Sequence, residues 1–274
     1  CTNPSAFNYN PNATVDDGSC CLVAGCTDPT ALNYNAQACS DDGSCVPVYT
    51  DIPDINFETA LITLGYDNVI NGKVLTANID TITSLYLGYK DIVDLTGIER
   101  FTALTSLDVN NNDFPTLNLS HNTALTYLNA DNCNSLYSVN VSNNTALTYL
   151  NISSCNNVNF TSINVSNNTA LTQLYCNSVG WGLQSLNVSN NPMLSRLECN
   201  SNDITTLDLS NNINLLWLKC RSNNLPYVDL RNTSLHASSI VDLRFNPNLH
   251  CVDVDNPGIT SSWDFDSQTS FSVD

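Results

Sequence analysis

The chain has 274 residues, of which 42% are hydrophobic, enough for a packed core. Charged residues are only 12%, and acids outnumber bases 26 to 8, for a formal charge of −18. That balance excludes a nucleic-acid binder, which needs a basic footprint, and disfavours charge-driven binding to anionic lipid. No apolar run is long enough to span a bilayer. His121, His236 and His250 are scattered, and no Ser-His-Asp spacing, phosphate loop or paired-carboxylate motif stands out, so catalysis is not expected. The chain opens at Cys1 without an initiator Met and reads as a fragment of a longer protein.

Residues 1–48 form a first region, built from two copies of one unit. Cys1-Thr-Asn-Pro-Ser-Ala-Phe-Asn-Tyr-Asn aligns with Cys26-Thr-Asp-Pro-Thr-Ala-Leu-Asn-Tyr-Asn, and both copies close in Asp-Asp-Gly-Ser-Cys. Of 12 cysteines, six lie here: Cys1, Cys20, Cys21, Cys26, Cys39 and Cys45. Such density with almost no aliphatic core reads as a disulfide framework, which implies export. Zinc is the alternative, but duplicated Cys-x2-4-Cys pairs are lacking. The symmetry suggests Cys1 with Cys20 and Cys26 with Cys45, leaving Cys21 and Cys39 to staple the copies. Other connectivities stay open. Side-chain oxygens alternate within each copy, at Asn3, Asn8, Asn10, Asp16 and Asp17 and again at Asp28, Asn33, Asn35, Asp41 and Asp42. With no base before Lys73, this spacing suits a hard cation, and calcium is the expected cofactor. The competing reading makes the same residues Asx turns. The pattern resembles thrombospondin type-3-like calcium repeats, with Asn where Asp is usual.

Residues 49–80 read as an N-terminal cap. The stretch Pro53 to Gly65 reads as a capping helix that Asp54 can start and Gly65 can end, with Phe57, Leu61 and Leu64 on one face. Residues 81–256 carry a second repeat, at a different period. It appears as Leu104-x-x-Leu107-x-Val109-x-x-Asn112 and returns at Leu125, Leu147, Leu171, Leu194 and Leu215. Six matches in register identify a leucine-rich repeat, hence a parallel solenoid in which each turn buries its apolar residues against its neighbours. Asn112, Asn202 and Asn223 end their motifs, while Cys133 and Cys155 replace the Asn in two turns. A second half-motif, such as Val139-Asn-Val141-Ser-x-Asn144, alternates with period two, so little helix and two long walls of strands are expected. The fold class is thus a strand-dominated solenoid of the horseshoe class. Residues 257–274 form the C-terminal cap, with Trp263, Phe265 and Phe271 as lid residues. Cys176, Cys199 and Cys220 fall at the third apolar position of consecutive motifs and read as buried thiols rather than a metal column. Ile52-Pro-Asp-Ile-Asn-Phe, Asp94-Leu-Thr-Gly-Ile98 and Asn-Pro-x-Leu-x-Cys251-Val make residues 52–274 resemble secreted bacterial leucine-rich repeat proteins of the internalin-like kind. That resemblance implies a partner cysteine for Cys251 just past Asp274.

On the first wall the outward positions vary and include Tyr127, Tyr149, Tyr175, Arg196, Glu198, Trp217, Lys219 and Arg221. Aromatics and arginine are the residues enriched in binding hot spots. On the second wall the outward positions are a uniform run of Ser and Asn. The expected function is an extracellular, monomeric module that binds a protein or a glycan on the first wall. The alternative is a structural or ice-ordering surface using the uniform wall.

Overall fold

The computed structural model describes residues 1–180 and 182–273. Three disulfides, Cys1–Cys20, Cys21–Cys39 and Cys26–Cys45, hold the N-terminal region, whose regular structure is one parallel pair, β1 (Ala24–Gly25) with β2 (Ser40–Asp41). Few apolar side chains are buried there beyond Ala6, Cys21 and Cys26, and Phe7, Val15 and Leu32 are exposed. Covalent links rather than a core therefore keep this region folded.

The cap begins with β3 (Tyr49–Asp51), antiparallel to β4 (Lys73–Leu75). Between them α1 (Ile55–Thr63) buries Phe57, Ala60 and Leu61 against the first turns. Leu64 lies past the helix end and is 42% exposed, so it is not part of the buried face. Gly65 follows at φ 82°, the left-handed conformation that ends helices. The Asp54 carboxylate accepts from the N–H groups of Asn56 (2.8 Å) and Phe57 (3.0 Å), and its other oxygen from those of Val93 (2.7 Å) and Asp94 (2.9 Å). One side chain thus caps the helix and joins it to the solenoid.

The first wall is a continuous eight-stranded parallel sheet. It runs through β5 (Ser84–Tyr86), β6 (Ser106–Asp108), β8 (Tyr127–Asn129), β10 (Tyr149–Asn151), β11 (Gln173–Tyr175), β12 (Arg196–Glu198), β13 (Trp217–Lys219) and β15 (Ile240–Asp242). Equivalent residues pair in register, and the central leucines, Leu107 to Leu218, stack fully buried. The second wall is not continuous. β7 (Thr116–Asn118) pairs with β9 (Ser138–Asn140), and β14 (Tyr227–Asp229), β16 (Cys251–Asp253) and β17 (Ser270–Ser272) form a second patch. The gap falls where the motif starts Leu147, Leu171 and Leu194 stand farthest apart in sequence. Beyond the gap the pairing resumes as single bridges, Ser185 with Thr206 and Asp208 with Asp229 of β14. Trp263 closes the far end, buried, with Phe271 edge-on to it at 6.3 Å; Phe265 packs edge-on to Phe271 at 4.8 Å but keeps 37% of its surface exposed.

Buried amides tie each turn to the previous one. Asn112 Nδ2 donates to Leu87 O and Val109 O (both 2.8 Å), and its Oδ1 accepts from Ile92 N–H at 3.0 Å. Asn202, Asn223 and Asn246 repeat the pattern. Cys133 and Cys155 substitute a single weak S–H donor to Val109 O (3.4 Å) and Ala130 O (3.3 Å). Asn122, Asn144, Asn168, Asn191 and Asn212 form a second ladder behind the other wall, donating to two carbonyls each. Their Oδ1 atoms are buried without a partner among the described residues.

Every first-wall turn also leaves the sheet through a left-handed residue. Tyr89, Asn111, Asn132, Ser154, Ser178, Ser201, Ser222 and Phe245 have φ between 53° and 59°. Asn tolerates this conformation, whereas Tyr89 and Phe245 carry bulky rings there.

Candidate functional site

In-register pairing sets Tyr127 beside Tyr149, and Gln173, Arg196 and Trp217 follow in the same column. Because side chains on adjacent parallel strands lie close together, these groups stack instead of standing free. The Tyr127 and Tyr149 rings are parallel at 4.4 Å, and Tyr149 meets Tyr175 at 5.3 Å. The Arg196 guanidinium lies 5.1 Å from the Tyr175 ring and 4.0 Å from Trp217, and Lys219 Nζ sits 4.9 Å from Trp217. Arg221 continues the series over Phe245 at 4.5 Å. Six of the eight residues singled out in the sequence thus form one continuous strip of rings and cations, and Glu198 and Arg221 adjoin it.

Two features change the picture drawn from sequence. Glu198 Oε1 accepts from Arg196 Nε (3.0 Å) and Nη2 (2.5 Å), so the arginine's charge is balanced within the wall. Trp217 is half-buried under Arg196 and its indole Nε1 is buried without a partner, so it braces the strip rather than offering a bare ring face. Lys219 and Arg221 have no ion-pair partner among the described residues, whereas Arg244 bridges Asp242 and Asp264. Burial, with the neighbouring Tyr127 and Tyr175 hydroxyls, pushes the Tyr149 hydroxyl up to about 12, and burial raises those of Tyr127 and Tyr175 as well. All three remain neutral hydrogen-bond donors near neutral pH.

The opposite end of the wall was not legible as a site, because its turn ends in Lys90 instead of Asn. Tyr86 and Tyr89 are 62% and 73% exposed. Tyr89, Asp91, Val93, Asn111, Asp113 and Asn132 line a shallow hollow of 610 Å³. Asp108 ends β6, and Asp131 lies in the turn after β8. Burial raises the Asp131 carboxyl, and the like charge of Asp108 adds to it.

The second wall turns its polar groups inward on its own backbone. Asn118, Asn140, Asn164 and Asn187 each accept from the N–H two residues on, and Asn140 Nδ2 donates to Asn118 Oδ1 at 3.0 Å.

In the N-terminal copies the oxygens expected to hold calcium are engaged locally. Asn3, Asn10, Asp16, Asp17, Asp28, Asn35, Asp41 and Asp42 each accept from the N–H two residues on. Asn8 and Asn33 bridge to Cys21 N–H and Val46 N–H, respectively, each at 2.8 Å. The Ser19 hydroxyl and N–H hold the Asp17 carboxyl down to about 2, and Thr30 and Ser44 lower Asp28 and Asp42 in the same way. Among the described residues no three His, Cys, Asp or Glu side chains converge on one point. As folded, one oxygen of each of these side chains serves a turn.

No family model and no curated protein matches the chain. Solved structures do. The functional domain of InlJ from Listeria monocytogenes, described as including a cysteine ladder, is 25% identical, with a TM-score of 0.47; the match covers 81% of this chain and 62% of that one. Internalin C2 of the same bacterium is 17% identical, with a TM-score of 0.54 and coverage of 81% and 94%. A leucine-rich repeat protein of Leptospira interrogans is 15% identical over 73% of this chain and 69% of that one, with a TM-score of 0.36. The likeness to internalin C2 places the fold among leucine-rich repeat solenoids.

Proposed function

We propose that this is an extracellular binding module that grips a protein or glycan partner on its first wall. One observation carries the reading: the varied wall gathers stacked aromatics and cations into a single strip, while the other wall satisfies itself. Rings held in place by stacking lose little entropy when a partner covers them, which suits a hot spot. The three disulfides support an exported protein, and no helix among the described residues is long and apolar enough to cross a membrane. Internalin C2 supports the scaffold but says nothing of the ligand.

The test is capture of partners by the full chain, followed by affinity measurement on variants checked for folding by their melting curves. Tyr149→Ala and Arg196→Ala each weaken binding by at least ~1 kcal/mol, while Asn140→Ala and Asn164→Ala leave it intact. Loss with the second-wall changes alone overturns the choice of face. Monomeric state is proposed with this reading and is read by light scattering on the same samples. Calcium binding by the N-terminal copies rests only on their repeated, base-free spacing. A cation there would draw on the second carboxylate oxygens of Asp16, Asp17, Asp41 and Asp42, which the turns leave over. Unchanged proteolysis of residues 1–48 with calcium and with chelator counts against it.

A further inference from the structure

One group of side chains in the first wall recurs, with one member missing, at the wall's other end. In the later turns Tyr175 of β11 pairs in register with Glu198 of β12. The Arg196 guanidinium completes that group: it lies 5.1 Å from the Tyr175 ring, and its Nε and Nη2 donate to Glu198 Oε1 at 3.0 and 2.5 Å. Tyr86 of β5 pairs with Asp108 of β6 in the same column and the same order, ring first and carboxylate on the next strand. Here Ser106 holds the position that Arg196 holds on its own strand, and Ser84 lies beside it. These short side chains leave the ring bare. Tyr86 is 62% exposed, and no ring or cation stacks on it among the described residues. The Asp108 oxygens accept from Asn110 N–H and Asn129 Nδ2, both at 3.1 Å, one donor each, and a carboxylate has lone pairs for more. Across residues 84–93, 106–113 and 127–132, Lys90 is the only base against Asp91, Asp108, Asp113 and Asp131. None of these five forms an ion pair among the described residues.

We propose that Tyr86 and Asp108 form a socket for an arginine side chain of a partner protein, whose guanidinium sits against them as that of Arg196 sits against Tyr175 and Glu198. The inference rests on the reading of the first wall as the binding face and names one residue of its partner. A planar guanidinium stacks on a ring and donates through its fork to a carboxylate at the same time; an ammonium does not match both. Asp108 is one methylene shorter than Glu198, but a side chain arriving from outside is not tied to the wall's backbone and follows the carboxylate down. The surrounding carboxylates draw a cation in and repel an acidic glycan, and a second copy of the chain, at −18, is repelled as a body. The adjoining hollow, lined by Tyr89, Asp91, Val93 and Asp113, is shallow, so it suits a segment lying across it rather than an enclosed small molecule.

The experiment is selection of random peptides, displayed on phage, against the immobilised full chain. Enriched sequences are then remeasured as labelled synthetic peptides by fluorescence anisotropy. Arginine is expected in every enriched family. Replacing it with Lys should weaken binding at least ~3-fold, and with Gln at least ~10-fold. In the protein, Tyr86→Ala and Asp108→Asn should each weaken binding at least ~10-fold and Tyr86→Phe less than ~2-fold, while Asn164→Ala changes nothing. Ser106→Arg supplies a guanidinium from within the wall. It should abolish binding with the melting curve unchanged or raised, which separates a filled socket from a damaged fold. Peptides without arginine, or arginine peptides indifferent to Tyr86→Ala, Asp108→Asn and Ser106→Arg, overturn the socket; a loss with Tyr149→Ala in that case leaves the binding face standing. Peptides indifferent to every first-wall change, or no enrichment, overturn both.

Discussion

Asp54 shows how much one carboxylate does where the cap helix meets the solenoid. Burial opposes its charge, yet four backbone N–H donors more than compensate and hold the carboxyl below the usual carboxylate range. A lowered folded pKa contributes stability above the unfolded value near ~4 and loses it as pH falls through the folded one. Asp54→Ala is therefore expected to cost about 2–4 kcal/mol in denaturant unfolding at pH 7. The melting gap between wild type and Asp54→Asn should narrow as pH drops below ~4. The helix-start role was legible from Asp54 preceding Ile55. Its grip on Val93 and Asp94 was not, because a contact between residues so distant in sequence leaves no local pattern. The left-handed positions obey a similar local logic. Ser201→Val should cost about 1–2 kcal/mol, and Ser201→Gly should be neutral or slightly stabilising in the same assay.

At the scale of elements, the two amide ladders differ in a way that thermal and chemical unfolding can read. Asn202 uses its donors and its acceptor, taking Val179 N–H at 3.0 Å. Asn168 uses only its donors, and its Oδ1 is buried without a partner. Truncating Asn202 orphans a buried N–H along with two carbonyls, whereas truncating Asn168 also removes an unpaired acceptor. Asn202→Ala is expected to be the more damaging by about 1–2 kcal/mol; equal losses would show that the second ladder's oxygens are satisfied in solution. The first wall was legible because Leu-x-x-Leu-x-Leu repeats without interruption. The second wall was overestimated, since its alternation is equally regular but sequence shows neither the Asx contacts that engage its polar groups nor where pairing lapses beyond β9. Residues of the strip were found by column, while the hollow beside Tyr89 was missed because its turn lacks the terminal Asn.

For the whole molecule, the contrast between a cross-linked N-terminal region and an apolar solenoid predicts separable stabilities. Stacked turns share one core from Ile52 to Trp263 and should unfold together. Residues 1–48 bury too little to fold unaided. Mild reduction is expected to make that segment protease-sensitive while moving the main calorimetric transition by less than ~2 °C; a large shift of the main transition would mean that the repeats brace the solenoid. The fold class was legible from period and motif alone, whereas calcium was read from spacing that Asx turns account for equally well.

The chain's cysteines impose an order on biosynthesis. Six are paired, and Cys133, Cys155, Cys176, Cys199 and Cys220 are buried thiols. An oxidant does not distinguish these classes in a nascent chain, where every thiol is exposed and disulfides form and reshuffle over seconds to hours. Correct pairing depends on timing: within this chain the N-terminal six are synthesised before any thiol from Cys133 onward. Of the later six, the five buried thiols escape oxidation only if solenoid turns close over them sooner than a stray partner arrives, and Cys251 stays partly exposed. Slowing the stacking of turns, at a site remote from any cysteine, should therefore appear first as scrambled disulfides.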